Sequence, residues 1–172
     1  MGSKTSLIGS ACYTDFVARF YSRADLISQR ALWKQESKTV VFTNGCYDLL
    51  HPGHVRLLEQ ARGLGDVLIL ALNSDACVQR IKGPSRPIIP EADRVELALN
   101  LEAVDAVTLF DEETPRELIA AVLPDILVKG ADWVHFVAGR EEVEAAGGRV
   151  MNLPLEPGYS TTNLVESILL QP

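Results

Sequence analysis

The sequence predicts an α/β fold: a doubly wound parallel sheet of five strands with helices on both faces, preceded by a helical extension. Three observations predict it. Thr39–Thr43 and Asp66–Leu72 are runs of apolar and β-branched residues that lack the polar alternation of a half-exposed strand, as expected of strands buried on both faces. Between such runs lie stretches whose apolar residues recur at helical spacing. The two patterns alternate along the chain, the mark of parallel βαβ units.

From Ser22 to about Lys34 the residues Leu26, Ile27, Ala31 and Leu32 form a helical stripe, with Ser22 and Asp25 as its N-terminal cap. Thr39–Thr43 is the first strand. Gly53–Leu64 carries Val55, Leu57, Leu58 and Ala61 on one face and stops at Gly63-Leu64-Gly65. Asp66–Leu72 is the second strand, Pro90–Leu101 a helix and Ala106–Phe110 the third strand. Thr114–Leu123 is a helix with Pro115 in its first turn, succeeded by a strand at Asp125–Val128. Arg140–Ala146 is a helix closed by Gly147-Gly148, Arg149–Leu153 a strand, and Thr161–Leu170 the last helix. No repeat or linker interrupts this order. Residues 1–37 therefore read as the extension and residues 38–172 as one domain.

Composition narrows the functional classes. Hydrophobic residues make up 47% and charged residues 23% of the 172, as in a globular protein. Sixteen Lys and Arg against 23 Asp and Glu leave a net charge of −7, which argues against a nucleic-acid surface. The longest apolar runs, such as Val67–Leu72, fall far short of the ~20 residues that span a bilayer, so no membrane partner is expected. Cys12, Cys46 and Cys77 are odd in number and lack metal-ligand spacing, which reads as reduced thiols in a cytoplasmic protein. Met1–Ser6 fits the N-myristoylation pattern, one loose enough to arise by chance, and lipidation is not expected. Nor is a signal peptide, because the apolar stretch Leu7–Cys12 is short and the charged Asp15 and Arg19 come soon after it.

In parallel sheets ligands bind beyond the carboxyl ends of the strands, so the loops there hold the candidate site. These are Asn44–Pro52, Asn73–Pro90, Asp111–Glu113, Lys129–Gly139 and Pro154–Ser160. In the first, Gly45 lets the backbone approach a ligand, and His51-Pro52-Gly53-His54 opens a helix. A helix N-terminus offers free N–H groups and partial positive charge, and two imidazoles beside it can donate to phosphate oxygens. The same pair also admits a metal reading, although zinc helices space histidines at i, i+4 and add a further ligand. A polar cap with one buried histidine is the plainest alternative.

The second loop concentrates positive charge in Arg80, Lys82, Arg86 and Arg94. Lys82–Pro87, free at Gly83 and stiff at its prolines, suits closure over a triphosphate, or else is a solvated basic face. Gly158-Tyr159-Ser160-Thr161-Thr162 enters the last helix, where hydroxyl residues act as caps or as phosphate donors. Were it to lie beside the first loop, two helix N-termini would face one polyanion.

Taken together these residues resemble the HxGH nucleotidyltransferase superfamily, whose fold is Rossmann-like. Within it they are most similar to the D-glycero-β-D-manno-heptose 1-phosphate adenylyltransferases. The stretches that carry the resemblance are Phe42–Asp48, Asn73-Ser74-Asp75, Lys82–Pro87, Leu127–Trp133 and Gly158–Thr162. The resemblance implies transfer of the adenylyl group of ATP to a heptose 1-phosphate, with release of pyrophosphate. It implies His51, His54 and Lys82 as catalytic residues acting on the phosphates. It also implies nucleotide contacts from Gly45, Cys46, Tyr47, Gly130, Asp132, Tyr159, Ser160, Thr161 and Thr162. Asp75 and Arg86 are assigned to the sugar phosphate. Mg²⁺ is expected to travel with ATP, with no protein metal site. The resemblance further implies a homodimer; related heptose enzymes are often fused to a sugar kinase, which 172 residues are too few to contain, so a separate kinase is expected to supply the substrate.

Departures from the pattern are few. Tyr47 stands where Phe is usual, and Val134–Ala138 is shorter than its counterpart. Leu155-Glu156-Pro157 replaces an arginine of the similar glycerol 3-phosphate cytidylyltransferases, which makes cytidylyl transfer to a polyol phosphate the second reading. A non-catalytic nucleotide-binding module is the reading from another class. A dinucleotide-binding oxidoreductase is excluded, since no G-x-G-x-x-G succeeds the first strand.

Overall fold

The computed structural model describes residues 17–130, 137–154 and 158–170. Among these the elements run β1 (Arg19–Phe20), α1 (Arg23–Gln35), β2 (Val40–Gly45), α2 (Pro52–Arg62), β3 (Val67–Asn73) and α3 (Asp75–Lys82). They continue with α4 (Glu91–Leu99), β4 (Ala106–Phe110), α5 (Arg116–Val122), β5 (Ile126–Gly130), α6 (Arg140–Ala145), β6 (Arg149–Leu153) and α7 (Thr161–Leu169). The strands are all parallel, in the order β1-β4-β3-β2-β5-β6.

The apolar runs form the central strands because both faces of the sheet are covered. Val40, Phe42, Val67, Ile69, Ala71 and Leu127 face one core, closed by Leu26 and Trp33 of α1, Leu118, Ile119 and Val122 of α5, and Val143 of α6. Their neighbours Val41, Leu68, Leu70, Leu72, Val107 and Val128 face the other, beneath Leu58 and Ala61 of α2 and Ala98 of α4. Alternate residues of each central strand thus enter opposite cores, which leaves few positions to be polar, Thr43, Asn73 and Thr108 among them.

Two differences from the sequence reading stand out. The sheet has six strands, not five, because Arg19 and Phe20 pair with Ala106 and Val107 at the edge of β4. Two residues are too few to show a period, so the segment read as a helical extension contributes an edge strand as well as α1. The second difference is α3, which lies inside the expected loop Asn73–Pro90. Ser74 caps it by accepting from the Cys77 amide at 3.0 Å, and Cys77 and Val78 are buried. Two turns are too short for periodicity to stand out from a loop.

The two ends of the sheet differ. At the amino ends, aspartates accept strand amides: Asp66 from Thr39 at 2.8 Å, Asp125 from Val40 at 2.8 Å and Asp105 from Leu68 at 2.6 Å. Arg30 pairs with Asp125 at 2.9 Å and Arg62 with Asp105 at 2.7 Å, which closes that end. The carboxyl ends open into a cleft. Among the described residues no helix is long and apolar enough to cross a membrane.

Candidate active site

β2 is the pivot of the sheet: β3 and β4 lie on one side of it, β5 and β6 on the other. The crevice at such a switch point is where open α/β sheets hold ligands. Here a cavity of about 500 Å³ extends from Glu113, beyond β4, across β3 and β2 to Gly130 at the end of β5. At its floor Lys129 donates to the Asn44 side chain, joining the ends of the two strands that flank the switch.

The β2–α2 loop enters the cleft through an unusual backbone. Tyr47 has a φ of +46°, in the left-handed region that L residues seldom adopt, and this turns its ring back over Gly45. A Cβ on Gly45 would lie 2.9 Å from Tyr47 Cε2, so the turn requires glycine. The phenol is buried, which pushes its pKa up and keeps it neutral, and its ring lies 4.7 Å from that of His54.

His51 caps α2. Its Nδ1 accepts the His54 amide at 3.3 Å, which leaves the proton on Nε2 as a donor. The rings of His51 and His54 stack, with centroids 3.7 Å apart and planes 14° from parallel. Nearly parallel rings direct their lone pairs side by side, not at one point, so the pair is poorly arranged to chelate a metal. Burial lowers the pKa of His51, and that of His54 is pushed down to about 4 by burial, then by His51 and Lys82. Both imidazoles are therefore neutral at pH 7. His54 Nδ1 is buried and has no hydrogen-bond partner among the described residues.

The second helix N-terminus meets the first. Ser160 caps α7, accepting from the Asn163 amide at 3.2 Å, and Ser160, Thr161 and Thr162 line the same cleft as His51 and His54. The Tyr159 ring stacks on His51 with centroids 6.0 Å apart. The approach is close: a Cβ on Gly53 would lie 2.9 Å from Tyr159 Cβ and 3.1 Å from His51 Nδ1. Two helix dipoles thus face one space, with the Gly53 amide at the start of α2 and the Thr161 and Thr162 amides at the start of α7 not used by a cap, a site built for a polyanion.

The basic residues divide into two groups. Lys82, at the end of α3, lines the cleft. Arg86 instead donates to Asp48 at 2.5 Å, and Arg80 pairs with Asp111 at 3.2 Å. Burial alone raises the Asp48 carboxyl, but the Ile89 amide, the Arg86 guanidinium and the Ile88 amide together hold it below the usual carboxylate range. Arg94 is fully buried, bonding to Cys46 O at 2.7 Å, Ile89 O at 3.0 Å and Asp75 Oδ1 at 2.7 Å.

The chain is similar in sequence and fold to known proteins. The profile of the cytidylyltransferase-like family matches residues 42–167. The chain belongs to that family. Membership carries the class of chemistry, nucleotidyl transfer. The bifunctional protein HldE of Koribacter versatilis is 51% identical over 150 residues, 87% of this chain and 31% of that protein. HldE of Syntrophotalea carbinolica is 55% identical over 137 residues, 79% of this chain and 28% of that protein. The chain therefore spans about a third of these relatives or less. A solved structure, the lipopolysaccharide core biosynthesis protein from Thermoplasma volcanium, superposes with a TM-score of 0.57 at 28% identity, covering 69% of this chain and 97% of that one.

Against the family's pattern, the cleft brings together Gly45, Cys46, Tyr47, His51, His54, Lys82, Gly130, Tyr159, Ser160, Thr161 and Thr162. Asp132 lies outside the described residues. Asp75 and Arg86, assigned above to the sugar phosphate, do not line the cleft and are held in the pairs with Arg94 and Asp48. Lys129 and Glu113–Pro115 line it too, although sequence reasoning assigned them no role beyond their place in the loops and helix start after β5 and β4. A lysine closing the apolar run Ile126–Val128 was the visible signal for the first; the second lay in a loop with no motif.

Proposed function

We propose that this chain transfers the adenylyl group of ATP to D-glycero-β-D-manno-heptose 1-phosphate, giving ADP-heptose and pyrophosphate. The observation that carries the reading is the convergence of the α2 and α7 N-termini, with His51 and His54 between them, on one cleft that Lys82 also lines. The choice of adenylyl donor and heptose acceptor rests on the sequence stretches that resemble the heptose 1-phosphate adenylyltransferases.

The acceptor phosphate is a monoester with a second pKa of about 6, already ionised at neutral pH, so no general base is needed. One of its oxygens bonds to the α-phosphorus as the bond from that phosphorus to the bridging oxygen breaks, and the electron pair leaves with pyrophosphate. The barrier is then one of aligning two anions and compensating charge. His51 Nε2–H, the Gly53 amide, the first amides of α7 and the Lys82 ammonium are suited to that task. Mg²⁺ enters as part of the substrate MgATP.

The test is pyrophosphate release with Mg²⁺, crossing ATP and CTP with heptose 1-phosphate and glycerol 3-phosphate. Turnover confined to ATP with the heptose supports the reading. Turnover with CTP and glycerol phosphate replaces it with the polyol reading, and ATP binding without any turnover reduces the chain to a nucleotide-binding module.

A further inference from the structure

The cleft has two unlike ends. His51, His54, Ser160, Thr161 and Thr162 supply donors and positive potential on the side of α2, β5 and α7. Beyond β3 and β4 the lining is Asn73, Ile81, Glu113, Thr114 and Pro115, together with Lys82 at the end of α3. Among the described residues two acidic residues, Asp48 and Glu113, line the cavity. Asp48 is consumed by Arg86 and by the Ile88 and Ile89 amides, at 2.8 and 2.9 Å. Glu113 has no hydrogen-bond or ion-pair partner among the described residues. Its acidic neighbours are both engaged: Asp111 with Ser74 and Arg80, Glu112 with Arg23.

A free carboxylate is out of place in a site built for phosphates, since like charges repel. It is well placed against hydroxyl groups, which can donate to it. The loop also fixes where it sits. Glu112 O accepts from the Cys77 thiol at 3.2 Å on one side, and Pro115 is buried on the other. In-line displacement supplies the direction: the nucleophile must approach the α-phosphorus opposite the departing pyrophosphate. With pyrophosphate held by the N-termini of α2 and α7, the acceptor enters from the β3–β4 side, where Glu113 stands.

We propose that Glu113 is a specificity-determining residue that accepts hydroxyl groups of a polyhydroxylated acceptor phosphate, while the nucleotide occupies the opposite end of the cleft. This rests on the reading of the chain as a nucleotidyltransferase that acts on a sugar phosphate. A neutral amide at this position keeps the shape and loses the charge-assisted bonds, each worth about tenfold or more in affinity.

The test is steady-state kinetics of wild type and Glu113→Gln, varying MgATP and acceptor separately, with heptose 1-phosphate and glycerol 3-phosphate as acceptors. Glu113 is exposed, so the variant should fold, and thermal melting checks this. The expected result is a rise of about tenfold in KM for the acceptor, with KM for MgATP unchanged and partial recovery in Glu113→Asp. An unchanged acceptor KM overturns the inference while leaving the proposed function standing. So does a shift in the MgATP KM or in the Mg²⁺ requirement, which would mark Glu113 as a nucleotide or metal contact. Wild-type turnover with glycerol phosphate alone overturns the heptose assignment, and the KM comparison with that acceptor then decides Glu113. Absence of turnover with every pair overturns both.

Discussion

Arg94 Nη1 donates to the carbonyl oxygen of Cys46 at 2.7 Å, and through this bond a residue of α4 holds the β2–α2 loop that lines the cleft. The same guanidinium holds Ile89 O and Asp75, so it ties three segments together from a position 1% exposed. Arg94→Met keeps most of the volume but strands Asp75 and two carbonyls. Asp75 keeps contact with water, so the cost falls mainly on the two buried carbonyls left unpaired, together about 3 kcal/mol. For a chain of this size that lowers the melting temperature by about 6–12 °C. Calorimetry on the variant reads the loss, and an unchanged melting temperature would show that the guanidinium carries no such role.

Gly53→Ala separates site geometry from stability. Alanine is better than glycine inside a helix by about 0.5–1 kcal/mol, so α2 itself should not weaken. The added Cβ, however, would lie 2.9 Å from Tyr159 Cβ, and the start of α7 must retreat from His51. ATP affinity should fall at least about tenfold with the melting temperature within a few degrees of wild type. Titration calorimetry with MgATP measures it, and unimpaired binding would mean that the two helix ends need not be close.

The fold was readable because burial on both faces forces continuous apolar runs, and Val67–Leu72 has no other use in a chain of this kind. His51-Pro52-Gly53-His54 was readable because a capping histidine and a close glycine have to be adjacent in sequence. The hidden part depends on distant partners. Arg86 and Arg94 look like ligands for phosphate until Asp48 and Asp75, far away in sequence, are seen to take their charge. Glu113 looks like any loop acid until Asp111 and Glu112 are seen to be engaged by others. Charge in a sequence shows that counter-charge is needed, but only the fold shows where it comes from.

Lys82→Ala tests the other half of that division. Lys82 is exposed at the end of α3 and lines the cleft, close enough to His54 to depress its pKa. Removing a donor aimed at charge that develops in a transition state costs roughly 10²–10³ in rate. The variant should lose about that much kcat while its melting temperature stays within a degree or two. A rate loss no larger than a few-fold would return Lys82 to a solvated face.

The stacked histidines predict a pH dependence with a definite sign. His54 has an ordinary pKa of 6.5 and is pushed down to about 4 in the folded protein, first by burial and then by His51 and Lys82. The unfolded chain therefore takes up a proton at a pH where the folded protein refuses one. Above pH 6.5 neither state is protonated and His54 carries no penalty; as pH falls from 6.5 towards 4 the unfolded state is favoured and stability drains away. His51, also lowered by burial, acts in the same direction. Urea denaturation of wild type between pH 7 and pH 4 should show a falling midpoint, and His54→Gln should flatten that fall. A bound polyanion favours the protonated imidazole, so MgATP should reduce the slope as well. An identical pH dependence in wild type and His54→Gln would show that the imidazole titrates normally in the folded protein.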